Sequence, residues 1–202
     1  MIRRAALRAI IFALAVAAVP AEAHAQGTPA GSASRGWWFG AGGGYLSFRA
    51  DCENCEHGDT YTGGGGFLLD AGAVLNDRLD VGAEVFSALS GDSLNNYRTT
   101  YTLAVAQYRL WKNHGFFLKG GFGLAFLRGF FTVDGQGGSV SGRGLGVNYG
   151  AGWIFGRERR VSFAPFGAQY VATAGNIALP SGASAQNAVG NSWMAGVVVL
   201  FR

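Results

Sequence analysis

The sequence predicts an all-β protein, an eight-stranded antiparallel transmembrane β-barrel, and three observations lead to it. Glycine accounts for 34 of the 202 residues and aromatics for 13%, while charged residues reach only 14%. Ordinary globular chains carry about 7% glycine and about 25% charged residues. Eight segments rich in Gly, aromatic and β-branched residues recur along the chain, several with two-residue alternation. The links between them alternate between short and long, as they do when strands cross a membrane with tight turns on one side only. The glycines have no three-residue period and proline occurs four times, which excludes collagen. Aromatics spread among the glycines exclude a flexible linker, and the low charge excludes a charged disordered chain.

The N-terminus reads as a secretory signal over residues 1–25. Arg3, Arg4 and Arg8 form a basic region, residues 10–19 an apolar core, and Ala23 and Ala25 the small residues of a cleavage site before Gln26. The apolar run is shorter than the ~20 residues that a spanning helix needs. Residues 26–35 form a polar linker, and residues 36–202 suit one barrel domain. Without the signal the net charge falls from +4 to +2. The remaining basic residues are dispersed, so no nucleic-acid partner is expected.

The eight strand segments are 36–48, 63–75, 79–89, 98–110, 116–128, 142–155, 161–174 and 191–201. In the second, Asp70 stands opposite Phe67, Leu69, Ala71, Ala73 and Leu75. In the third, Asp80, Gly82 and Glu84 oppose Leu79, Val81, Ala83 and Val85. In the fifth, Lys119 and a row of glycines oppose Phe116, Leu118, Phe122, Leu124 and Phe126. In the sixth, Asn148 and four glycines oppose Leu145, Val147, Tyr149, Ala151, Trp153 and Phe155. The eighth sets Trp193, Ala195, Val197, Val199 and Phe201 on one face. The first, fourth and seventh alternate less cleanly, and their faces stay unassigned. Links 76–78, 111–115 and 156–160 are tight, whereas 49–62, 90–97, 129–141 and 175–190 are long.

A continuous apolar face opposite a small, sparsely ionisable one fits lipid outside and a polar lumen; a soluble barrel would reverse the two. An Arg or Lys facing lipid at the midplane costs roughly 2–4 kcal/mol, so Lys119 and the carboxylates should point inward. Asp70, Asp80, Glu84, Lys119 and Asn148 are therefore expected to form a luminal polar network, with Gln107, Arg109 and Gln169 as further members. Eight strands enclose only enough room for their own side chains, although many luminal glycines keep a narrow solute path open as the alternative. Gly82, Gly121, Gly123, Gly144, Gly146, Gly150 and Gly152 fall on that inner face. Trp37, Trp38, Trp111 and Trp153, with Phe116, Phe155 and Phe201, are expected to form a periplasmic aromatic girdle, and Trp193 its counterpart at the other interface.

Cys52 and Cys55, the only two cysteines, sit in the first long link. After export a disulfide is the default, while His57 and the flanking acids make a small metal site the alternative. No metal or other cofactor is expected. Neither a full G-x-G-x-x-G nor a Walker lysine occurs, so the glycines belong to strands.

The signal, the alternating links and segments 36–48, 116–127 and 192–201 resemble small outer-membrane β-barrel proteins of OmpA/OmpX type, including porin-like "outer membrane beta-barrel domain" proteins. The resemblance implies insertion in the outer membrane of a Gram-negative bacterium, surrounded by outer-membrane lipid. It departs at Arg202, which follows Phe201 where such proteins usually end on the aromatic. A monomer with a structural or surface-interaction role is expected, non-enzymatic, its long loops available to an extracellular ligand. A small-solute channel is the second reading, and an outer-leaflet lipid-modifying enzyme the third. The last would need His57 to meet Ser87 or Ser90, and no motif joins them; His114 falls in a periplasmic turn.

Overall fold

The computed structural model describes residues 36–51, 62–91, 95–111, 114–133, 136–156, 159–178 and 184–202. The chain runs through β1 (Trp37–Asp51), β2 (Thr62–Val74), β3 (Leu79–Gly91), β4 (Asn95–Arg109), β5 (Phe116–Val133), β6 (Gln136–Trp153), β7 (Val161–Ala178) and β8 (Ser184–Phe201). Each strand pairs antiparallel with the next, and β1 also pairs with β8, closing the barrel. Closure removes the free strand edges that would otherwise expose unpaired backbone groups.

All eight expected segments are strands, but each runs further at the long-link end than alternation suggested, by one to three residues in β1 to β4 and by four to seven in β5 to β8. β5 and β6 pair as far as Val133 and Gln136, and β7 and β8 as far as Ala178 and Ser184. The expected long links 129–141 and 175–190 are thus mostly hairpin. Neither face of such an extension must be apolar, so the two-residue signal that marks a half-buried strand is missing there. A register shift bends the β7–β8 hairpin on both sides of Gly175, whose φ of 63° suits glycine.

The short connections lie where expected. Between β2 and β3, the Asn76 side-chain carbonyl accepts from the backbone N–H groups of Arg78 (2.8 Å) and Leu79 (2.9 Å), an Asx turn that reverses the chain tightly. Between β6 and β7, Gly156 takes a φ of 72°, and its carbonyl accepts from the Arg159 N–H at 2.9 Å.

Alternation is strict through the barrel wall. Inward positions hold the buried residues Trp38, Leu46, Leu68, Phe86, Tyr101, Leu103, Tyr170, Met194 and Leu200. Outward positions hold Trp37, Phe39, Tyr45, Phe67, Phe122, Leu124, Leu145, Phe163 and Val197, all exposed. Trp38 corrects the expected girdle: it is 2% exposed and faces the interior, while Trp37 (73%) faces out. Adjacent residues of a strand point to opposite faces, so the two could not share one surface.

Candidate functional site: the polar lumen

Glu84 stands at the centre of the interior, with none of its surface exposed. Its cross-strand neighbour on β2 is Asp70, and two like charges in that relation repel. Lys119 reaches from β5 to both, its Nζ donating to Glu84 Oε2 and, at 3.3 Å, to Asp70 Oδ2. Asn148 Nδ2 on β6 donates to Glu84 Oε1 at 2.8 Å, and the Tyr170 hydroxyl on β7 donates to the same oxygen at 3.1 Å. Side chains of five strands thereby join one hydrogen-bonded cluster around Glu84. Buried charges are tolerated only with partners of this kind. Asp70 Oδ1 and Gln107 Nε2 are buried with no protein partner among the described residues.

Asp80 lies in a separate cluster nearer the short turns. Arg109 forms a bidentate pair with it, 2.7 Å for each hydrogen bond, the planar fork-to-fork geometry that suits guanidinium and carboxylate. Arg109 also donates to the carbonyls of Asp77 (3.0 Å) and Asn76 (3.3 Å) in the β2–β3 turn. Arg202 Nη2 reaches Asp80 Oδ2 at 3.3 Å, so the residue that departs from the family ending takes part in closing this end.

Beyond Glu84 toward the long-link end, the interior turns aromatic. Phe86 stacks on Tyr170 with ring centroids 4.0 Å apart, and Tyr101 contacts both at 5.8 and 5.3 Å. Glycines make the room. A Cβ on Gly146 would lie 2.8 Å from the Tyr101 ring, and one on Gly66 2.8 Å from the Phe86 ring. The inner glycines therefore make room for large inner side chains of nearby strands as well as for the neighbouring backbone.

Of the further luminal members expected, Gln107 and Arg109 face inward, but Gln169 faces outward. It accepts from the Tyr149 hydroxyl and donates to Asn191 Oδ1 at 2.8 Å, both on the outer surface. Tyr170, the adjacent residue, takes the inward place. Segment 161–174 concealed this because both of its faces carry aromatic or small residues, inward Ala164, Phe166 and Tyr170 as much as outward Phe163, Pro165 and Gly167.

The outer wall is an apolar band around the whole sheet, with Trp111, Phe116, Trp153, Phe155 and Phe163 in successive ring contacts at the short-turn end. The sequence from residue 11 to 201 matches the family described as "Outer membrane protein beta-barrel domain". The chain belongs to that family. It is accordingly an integral protein of the Gram-negative outer membrane. The solved structures it resembles include Ail, the attachment invasion locus protein of Yersinia pestis, with a TM-score of 0.58 at 16% identity over 81% of this chain and 98% of that one. Neisserial surface protein A is similar at a TM-score of 0.52 and 16% identity, over 81% of this chain and 96% of that one. At such identity the likeness speaks for the fold. No curated protein matches the chain in sequence.

Within this outer-membrane barrel, the described residues of the lipid-modifying reading lie apart from one another. Ser87 points outward and shares a 3.4 Å hydrogen bond with Thr100, whereas Ser90 is buried on the opposite face of the same strand. His114 contacts the rings of Trp111 and Trp153 at the other end of the barrel. His57, Cys52 and Cys55 lie outside the described residues, as do the expected signal and linker.

Proposed function

We propose that this outer-membrane barrel is a closed, monomeric, non-enzymatic protein with a structural or surface-interaction role. The observation that carries the reading is the filled interior. The Arg109–Asp80 pair, the Glu84 cluster and the Phe86–Tyr101–Tyr170 layer follow one another along the lumen. An eight-stranded barrel has little width beyond its own side chains, so an open aqueous path is not expected. A surface role is supported by comparison, since Ail has also been crystallised with the heparin analogue sucrose octasulfate. Cys52 and Cys55 form a disulfide that stiffens the first loop, a small ring contributing about 2 kcal/mol at most by loop closure.

The refolded protein in a planar bilayer is expected to give no stable conductance; a steady open pore would establish the channel reading instead. A thiol reagent is expected to label Cys52 and Cys55 only after reduction. Labelling without reductant, suppressed by zinc and restored by a chelator, would replace the disulfide with a metal site.

A further inference from the structure

The outward face carries a basic cluster that the luminal architecture does not use. Arg98 on β4 and Arg128 on β5 are direct cross-strand partners. Arg143 on β6 pairs with Phe126, placing it diagonally from Arg128, whose own partner is Ser141. All three are exposed, and among the described residues none has a carboxylate within ion-pairing distance. Like charges directly opposite one another on a sheet are destabilising. Arg49, across the barrel on β1, shows the contrast: it is paired with Asp51 at 2.9 Å.

The depth of the cluster identifies what can neutralise it. Trp153 and Phe116 mark the aromatic contacts at the short-turn end. From Trp153 to Arg143, and from Phe116 to Arg128, the strands climb ~25–30 Å at about 3.3 Å per residue and a tilt near 40°. The apolar band of such barrels is about 25 Å tall. The three guanidiniums therefore stand at the level of the outer-leaflet headgroups. Just below them lie apolar side chains, Leu124, Phe126 and Leu145, and the Arg128 guanidinium is 4.9 Å from the Phe130 ring centroid. Acyl chains below and phosphate oxygens at the guanidinium level match this arrangement, and guanidinium binds phosphate through parallel hydrogen bonds.

We propose that Arg98, Arg128 and Arg143 form a docking site for a phosphate-bearing lipid of the outer leaflet, with bisphosphorylated headgroups preferred over singly phosphorylated ones. Lipid phosphate offsets the mutual repulsion of the three charges and fixes one side of the barrel against its annular lipid. The site depends on membrane insertion and is independent of whether the lumen conducts.

The test uses the full mature protein, refolded in nanodiscs of phosphatidylcholine doped with bisphosphoryl or monophosphoryl lipid A. Lipid retained by the protein is measured by native mass spectrometry after release into zwitterionic detergent. Retention of the bisphosphoryl form should exceed that of the monophosphoryl form. The triple variant Arg98→Gln, Arg128→Gln, Arg143→Gln should lose this affinity by roughly fivefold per arginine, on the order of a hundredfold in all. Arg49→Gln should retain it, and heat-modifiable gel migration confirms that each variant is folded. Equal retention by the native protein and the triple variant, or an equal loss in Arg49→Gln, would overturn the site. So would binding of sucrose octasulfate at the arginines without preference for the bisphosphoryl lipid, which would assign them to a soluble polyanion.

Discussion

Lys119 holds two carboxylates that the β2–β3 register forces side by side. Replacing it with Met would leave Glu84 and Asp70 buried and uncompensated, a change expected to destabilise the barrel by about 3–5 kcal/mol. The Glu84→Gln, Lys119→Met double variant should recover part of that loss, because the two residues act as one unit. Urea unfolding in lipid vesicles measures both; equal, additive losses would show that the pair is not coupled. Residue type and alternation suffice to place Asp70, Asp80, Glu84, Lys119 and Asn148 on inner faces. They did not reveal that Asp80 belongs to Arg109 and Arg202 instead of Glu84, since partners across a lumen depend on shear and tilt as well as strand order.

The hairpins show the same division at the level of the element. Outward Phe122 and inward Gly123 are adjacent in β5, so their environments differ completely. Phe122→Arg, near the middle of the apolar band, should cost roughly 2–4 kcal/mol for a cation placed against the bilayer core, read as a lower urea midpoint in vesicles. A neutral result would place this strand face away from lipid. At the short-turn end, Arg109 ties the β2–β3 turn to β4 through the carbonyls of Asn76 and Asp77. Arg109→Ala should raise amide hydrogen exchange at Arg78 and Leu79 while leaving the β6–β7 turn near Gly156 unchanged. Strands with one clearly apolar face, such as β3 and β6, were legible from alternation. β1, β4 and β7 were not, because the lumen itself is apolar around Trp38, Tyr101 and Tyr170 and blurs the contrast between faces.

Across the whole molecule, the interior reads as a sequence of clusters: an ion pair at the short-turn end, a carboxylate hub, then an aromatic layer. If these clusters close the lumen as proposed, Phe86→Ala, Tyr101→Ala and Tyr170→Ala together should raise conductance in a bilayer above that of the native barrel. A folded triple variant with unchanged conductance would move the block to the ionic clusters. The amino-acid pattern alone determined the all-β class, the number of strands, their antiparallel order and the side that faces lipid. Those follow from period-two burial and from connection length, which are local properties of the chain. Only the closed tertiary structure decided that Trp38 lies inside, that Gln169 lies outside, that Tyr170 reaches Glu84 and that three arginines converge on one outer face. Each depends on which residues of distant strands come level when a tilted sheet closes on itself, and stagger across strands leaves no period in the sequence.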